Sequence, residues 1–232
     1  PLAAVWVFAT YAFWLGMRER KWIPLAAVSL GIGLLTKLPI VFLWAALTAG
    51  FAGRWLCAMR MPHTESARVR SAALQGVAIL ICVPLVVLIA GWPWLWKNPP
   101  ARLWGYFMRG VEVRASGTMY FGQVGMPTPW HYPFVMSAIT IPALTLVLAV
   151  IGGVLSRPRE RHIAPYVLGS ALLPLLVFAF VSSLRQDGVR YLLPSYPFVA
   201  VLAAMGLCWI VAQMRTFWLK VAAIVTLVVL GA

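Results

Sequence analysis

Long apolar runs constrain this chain most, because they recur along its whole length with only short polar breaks between them. A membrane-spanning helix needs about 20 predominantly apolar residues. Eight stretches approach or reach that length: roughly 1–16, 22–36, 38–53, 72–95, 134–155, 163–184, 191–212 and 217–232. A single water-soluble core could not bury 62% hydrophobic residues in a chain of 232. The pattern therefore predicts an all-α, polytopic bundle of about eight transmembrane helices.

Both ends of the sequence lie inside apolar runs. The chain begins at Pro1, and its first run shows neither the basic stretch nor the small-residue cleavage site of a signal peptide. We therefore expect that residues 1–232 are a fragment lacking the N-terminal part of a longer protein. Within it we predict one transmembrane domain, with an outward loop at 97–133 and no separate soluble domain.

The net charge of +14 comes from basic residues placed between the apolar runs. One set of alternate loops holds Arg18, Arg20, Lys21, Arg54, Arg60, Arg68, Arg70, Arg157, Arg159, Arg161, Arg215 and Lys220. A Lys/Arg excess marks the cytoplasmic side of a membrane. This distribution predicts a multi-pass protein of the cell membrane, with membrane lipids and no nucleic acid as partners.

The remaining loops then face outward and carry a second group of charges. These are Lys37, Lys97, Arg102, Arg109, Arg114, Arg185 and Arg190, against Glu112 and Asp187. Basic side chains at that level either bind a phosphate on a lipid carrier or extend to lipid head groups. For Lys97, Arg102, Arg109 and Arg114 we favour the head groups; for Lys37 and Arg190, each in a tight link between helices, we favour the phosphate.

Lys37 lies at a predicted break between two short helices. Pro39 disfavours a continuous helix, and Gly31 and Gly33 permit close helix packing. The sequence predicts a tight hairpin here. The ammonium group of Lys37 then either reaches a phosphate or caps the preceding helix.

The outward loop is rich in aromatic residues, and we expect it to pack on the membrane domain. The tryptophans at 92, 94 and 96, just before this loop, are interfacial anchors or contacts for a sugar ring, and we favour the anchoring role. His131 is an acid/base group, a metal ligand or a hydrogen-bonded loop residue, the last being favoured because no second His lies nearby. In the last outward link, Asp187 either pairs with Arg190 across a turn at Gly188 or contacts substrate. The scattered cysteines at 57, 82 and 208 indicate neither disulfides nor a metal knuckle, and we interpret them as core residues.

Four strings on the outward side resemble bacterial glycosyltransferase family 39, of the GT-C superfamily. They are Thr36-Lys37-Leu38-Pro39, Pro93-Trp94-Leu95-Trp96, Pro129-Trp130-His131-Tyr132-Pro133 and Asp187-Gly188-Val189-Arg190-Tyr191-Leu192-Leu193-Pro194. The family is similar to protein O-mannosyltransferases and to the aminoarabinose transferase of lipid A. Together the four strings extend over most of the chain.

The resemblance implies a GT-C-like fold and an inverting transfer of a sugar from a polyprenyl-phosphate donor to a lipid or protein acceptor outside the membrane. It assigns Lys37 and Arg190 to the donor phosphate. Tyr191, Trp130, His131 and Tyr132 become members of the cleft wall. The family's catalytic base lies in a first outward loop upstream of Pro1, so we expect the fragment to be inactive alone, with Asp187 as a weak candidate.

The chain departs from the family at two places. Leu38 stands where glycine is usual, and Arg109 to Glu112 stand where some relatives carry a His. No cofactor is therefore predicted, and a divalent metal is without support. A transporter and a noncatalytic scaffold subunit stay open as alternatives, although the helix interiors are nearly free of the ionisable groups that transporters place at mid-membrane.

Overall fold

The computed structural model describes residues 1–59, 63–109, 118–125, 128–155, 163–181 and 188–214. The chain divides into two compact units, Pro1–Arg114 and Ala115–Ala232, with the boundary inside the predicted outward loop. The helices of the first unit are α1 Leu2–Arg18, α2 Ile23–Thr36, α3 Ile40–Ala58, α4 His63–Gly91 and α5 Pro99–Arg109. Short 3₁₀ turns at Arg20–Trp22 and Pro93–Lys97 connect them.

The described part of the second unit contains a small hairpin and four further α-helices. Strands β1 Thr118–Tyr120 and β2 Gln123–Gly125 pair antiparallel, with Tyr120 opposite Gln123. The helices are α6 Tyr132–Thr140, α7 Ala143–Val154, α8 Ala164–Phe180 and α9 Tyr196–Gln213, and 3₁₀ turns at Gly188–Tyr191 and Leu193–Ser195 precede α9. The predicted all-α class is therefore confirmed for the described residues, apart from this hairpin.

Within the described residues, three helical segments are long and apolar enough to cross a membrane. They are Ile40–Ala58, Val69–Gly91 and Leu193–Gln213. In each segment, an apolar stretch of 18 residues is only partly buried by the rest of the protein: 22%, 28% and 39% of it, respectively. Because so much apolar surface faces outward on each of them, a lipid environment must cover it. The chain is thus a membrane protein.

The break at Lys37 is confirmed, but α2 and α3 do not form a hairpin packed along its length. Lys37 has extended backbone angles (φ −164°, ψ 135°), and α3 begins three residues later at Ile40. Beyond the turn, α2 packs mainly against α1 and α4. A side chain at Gly31 would place its Cβ 2.5 Å from Cβ of Val87, which shows how closely α2 approaches α4.

The predicted span 134–155 is two helices and not one. Helices α6 and α7 meet at a bend of 114°. Ile141 and Pro142 between them are extended, with ψ near 131° and 134°. Proline disfavours helical angles in the residue before it and has no N–H to continue the helical hydrogen bonds. Pro142 therefore ends α6, and the expectation of a continuous helix is wrong.

Helices α7 and α9 make the closest helix contact in the second unit. The carbonyl oxygen of Leu202 occupies the position that a Cβ at residue 152 would take, and Gly206 N would lie 2.7 Å from that Cβ. The relation is reciprocal, because the Leu148 carbonyl fills the Cβ position of Gly206. Two glycines at one crossing allow the backbones to touch, as in small-residue contacts between membrane helices.

Two further sequence predictions concern the three cysteines and the last apolar run. Cys57, Cys82 and Cys208 are exposed on their helices, so the core assignment is wrong. These helices direct apolar surface outward, away from the rest of the protein. An apolar position on them is therefore not necessarily buried. The last predicted span, 217–232, lies outside the described residues.

Candidate functional site

One candidate site is the Lys37 end of the first unit. We define this end by the C-termini of α2 and α4 and the N-terminus of α3. The backbone N–H of Lys37 donates to the Gly33 carbonyl at 3.0 Å and closes the last turn of α2. The Thr36 hydroxyl donates to the same carbonyl at 2.8 Å. The Lys37 side chain, which is half-buried, is thus attached to a backbone position that these two hydrogen bonds to the Gly33 carbonyl hold in place.

Side chains from the segment after α4 donate hydrogen bonds to helix carbonyls at this end. The last carbonyls of a helix have no partner within the helix. The Tyr106 hydroxyl donates to the Leu34 carbonyl at 2.7 Å, and the Trp96 indole donates to the Ile89 carbonyl at 2.7 Å. Burial raises the pKa of Tyr106 to about 12, which keeps its phenol protonated as the donor. Helix α5 is thereby fastened to the end of α2, three residues before Lys37.

An aromatic cluster covers the same end. Tyr106 meets the Trp92 ring edge-on at 5.5 Å and the Phe107 ring at 5.2 Å, and Trp92 lies 5.3 Å from Trp94. The Arg102 guanidinium lies 4.7 Å above the Trp94 ring and also donates to the Trp94 carbonyl. The first part of the predicted outward loop therefore does pack on the helices. Arg102 has a structural role there in addition to any contact with lipid.

A separate candidate site lies in the second unit, where the strings around Arg190 and His131 meet. Arg190 belongs to the 3₁₀ turn Gly188–Tyr191, and α6 packs against this turn. The Arg190 side chain is exposed, and the Tyr191 ring packs 5.3 Å from the ring of Phe178. The packing of α8 and α6 thus fixes the turn that carries Arg190.

The three predicted cleft residues at the start of α6 differ in exposure. Trp130 is 63% exposed, His131 is half-buried, and Tyr132 is only 3% exposed. The His131 ring packs edge-on against Trp130 at 5.8 Å, and both His131 and Tyr132 contact the ring of Tyr120. Trp130 and His131 are therefore accessible to a ligand, whereas Tyr132 supports them from the core.

Several polar groups that the motifs did not indicate are buried in the second unit. The hydroxyls of Ser137, Ser195 and Tyr196 make no hydrogen bond, although such groups in an apolar environment usually find a partner. Ser195 and Tyr196 follow the Arg190 turn directly, and Tyr120 reaches His131 from the hairpin. No local pattern distinguishes these hydroxyls from ordinary helix residues, so only the tertiary arrangement identifies them.

The structure does not describe the acidic residues that are candidates for the site. Asp187 and Glu112 lie outside the described residues, as does Arg114. Among the residues that are described, no three His, Cys, Asp or Glu side chains are grouped as metal ligands. Lys37 lies in the first unit and Arg190 in the second. The joint phosphate site that the sequence predicts for them stays a prediction.

Comparison with known proteins gives no relative for this chain. No protein-family model, curated protein or solved structure matches it significantly.

Proposed function

We propose that this chain belongs to a glycosyltransferase that moves a sugar from a polyprenyl-phosphate donor to an acceptor at the outer face of the cell membrane. The observation that carries the proposal is the position of Lys37. Its ammonium group is attached to a non-helical break between α2 and α3, at an end lined by Trp92, Trp94 and Tyr106. An amine and several aromatic rings at one end of the helices suit a ligand that combines a phosphate with a sugar ring.

Arg190 supplies the second basic group of the proposal. Its guanidinium is exposed on a turn held by α6 and by the Phe178–Tyr191 contact. A guanidinium can donate two parallel hydrogen bonds to phosphate oxygens. In the proposed reaction, Lys37 and Arg190 bind the phosphate of the donor. They stabilise the negative charge that grows on it as the bond to the sugar breaks.

The acceptor hydroxyl must also lose a proton to a general base. The family that the four strings resemble assigns this role to a carboxylate in its first outward loop, and within this chain Asp187 is the weak candidate. The accessible His131 and Trp130 are then contacts for the sugar or the acceptor. The buried hydroxyls of Ser195 and Tyr196 are further hydrogen-bond donors close in sequence to Arg190.

A transporter is the second candidate, and the 114° bend between α6 and α7 favours it, because many transporters bind substrate at broken helices. The buried polar side chains point the other way. Among the described residues these are hydroxyls only, namely Thr10, Ser29, Thr128, Ser137, Ser170 and Ser195. A path for a charged or polar solute would need more than isolated hydroxyls. We therefore place the glycosyltransferase first.

Binding of undecaprenyl phosphate tests the proposal. The protein is purified in one detergent as wild type and as the separate variants Lys37→Ala and Arg190→Ala. The matched control is Lys97→Ala, which removes an exposed cation from the same side of the predicted topology. We expect each test variant to weaken binding about tenfold, or about 1.4 kcal/mol. We expect the control to stay within about twofold, because a diffuse surface charge contributes little.

Equal affinity in all four proteins would show that Lys37 and Arg190 are interfacial anchors and would remove the basis of the proposal. A loss in Lys97→Ala as large as in the test variants would show nonspecific attraction of the phosphate. Flux of a small solute through the protein in sealed vesicles, blocked by an α6–α7 substitution, would favour the transporter.

A further inference from the structure

A second basic site lies at the opposite end of the first unit. There, a cavity of about 230 Å³ opens between the C-termini of α1 and α3 and the N-terminal part of α4. Its lining includes Arg18, Arg20, Ile23, Phe51, Arg54 and Ala73. Ile23, Phe51 and Ala73 are buried and form an apolar floor, whereas the three arginines are exposed. The cavity therefore has an apolar base and a cationic rim.

Neutral neighbours hold the three guanidinium groups around this opening. Arg18 lies 4.4 Å above the Trp14 ring, Arg20 donates to Gln75 Oε1 at 3.5 Å, and Arg54 contacts Met17 Sδ at 3.6 Å. These contacts position the side chains, and none of the three brings a negative charge to a guanidinium group.

Among the described residues that line the cavity, none carries a carboxylate. Glu19 stands between Arg18 and Arg20 in the sequence, but its carboxylate pairs with Lys21 Nζ at 2.7 Å. Three cations at one opening repel each other unless an anion joins them. An anion with several acceptor oxygens would satisfy donors from all three guanidinium groups at once, and a phosphate has that geometry.

The surroundings of the opening indicate where such a phosphate would come from. Leu56 and Leu74, close in sequence to Arg54 and Ala73, are 56% and 52% exposed. Both belong to helices that are long and apolar enough to span a membrane. A ligand with a phosphate head and apolar chains could thus place its head in the cavity and its chains along α3 and α4.

We infer that this cavity binds the phosphate group of an anionic phospholipid. The arginines at its rim belong to the predicted cytoplasmic set, so the lipid belongs to the inner leaflet. Basic pockets between membrane helices on that side are suited to anionic head groups. The site lies at the opposite end of the helices from Lys37, and the inference does not depend on the proposed transferase activity.

Binding of a soluble short-chain lipid tests the inference. The 232-residue chain in a non-ionic detergent is titrated with dioctanoyl-phosphatidylglycerol and, separately, with dioctanoyl-phosphatidylcholine and inorganic phosphate. Native mass spectrometry counts the bound lipid, and the titration gives the affinity for each probe. We expect phosphatidylglycerol to bind at least about tenfold more tightly than either of the other probes, because only it combines net negative charge with apolar chains.

The variants are R18Q/R54Q together, R20Q alone, and K21Q as the matched control. Lys21 carries the same charge in the same segment but does not line the cavity. We expect the double variant to lose about tenfold in affinity for phosphatidylglycerol, R20Q to lose about threefold, and K21Q to stay within about twofold. Far-UV circular dichroism checks that each variant is helical; if the double variant is not, the comparison of R20Q with K21Q decides.

Three results would overturn the inference. Equal losses in R20Q and K21Q would show diffuse attraction and no built site. Equal affinity for phosphatidylglycerol and phosphatidylcholine would show that the head-group charge is not recognised. Inorganic phosphate binding as tightly as the lipid, with the same dependence on the arginines, would show a site for a free anion.

Discussion

Pro84 leaves one carbonyl of α4 without its helical donor, and Trp44 of α3 replaces that donor. Residue 84 would normally donate to the carbonyl of Leu80, but proline has no N–H. The indole Nε1–H of Trp44 donates to this carbonyl. Leu80 is fully buried, so water does not reach the carbonyl readily. The contact therefore joins α3 to α4 at the point where α4 is weakest.

The perturbation is Trp44→Phe, which keeps an aromatic ring and removes the donor. A hydrogen bond in a protein contributes about 0.5–1.5 kcal/mol net, and a buried polar group left without a partner costs about 1–3 kcal/mol. Hydrogen bonds between membrane helices average about 0.6 kcal/mol, with a maximum near about 1.7 kcal/mol. We therefore expect a loss of about 1–2 kcal/mol in the free energy of unfolding, part of which comes from the smaller ring.

A double-mutant cycle with Pro84→Ala separates the hydrogen bond from the ring. The alanine of that variant supplies a backbone N–H to the Leu80 carbonyl, so the carbonyl no longer depends on the indole. In that background we expect Trp44→Phe to cost about 1 kcal/mol less than in the wild type. Unfolding of the detergent-solubilised protein by dodecyl sulfate, followed by circular dichroism, gives the four free energies. Equal costs in the two backgrounds would show that Trp44 acts by packing alone.

Two further predictions concern the glycine crossing and the α5 contact. Gly152→Ala should lower the free energy of unfolding by about 1–3 kcal/mol, because a Cβ there meets the Leu202 carbonyl. The control is Gly153→Ala, whose Cβ would have only an ordinary contact at 3.7 Å. This variant should be neutral or slightly stabilising in the same denaturation assay. For Tyr106, with its pKa raised from 10 to about 12, burial of the neutral phenol contributes stability that is complete below about pH 10 and is lost as the pH rises toward 12. Absorbance at 295 nm across about pH 9–13 should show a late-titrating tyrosine component that is smaller in Tyr106→Phe than in the wild type, and equal components in the two proteins would contradict the burial argument.

Local sequence was a good guide to the helices and to some of their breaks. Hydropathy sums over neighbouring residues, so runs of apolar residues predict α1, α3, α8 and α9 within a few residues. The turn at Lys37 follows from Pro39, since a proline restricts the residues before it. At residue 142 the same signal was present, but the apolar run around it outweighed the proline in the prediction.

Side-chain partners distant in the chain could not be predicted in this way. Tyr106 and Leu34 are 72 residues apart, and Trp44 and Leu80 are 36 apart. Their pairing depends on which helices pack together, and α2 packs mainly on α1 and α4 instead of on α3. The motifs likewise did not indicate that Tyr132 is buried while Trp130 is exposed.

The sequence by itself determined that the chain is helical and apolar enough for a membrane, because those properties follow from composition and from the spacing of polar breaks. It also separated Lys37 from Arg18, Arg20 and Arg54 by placing them at opposite ends of short apolar runs. Only the tertiary structure decided that those three arginines surround one cavity. Convergence of charges depends on the helix packing that brings α1, α3 and α4 together, and no local pattern encodes that packing.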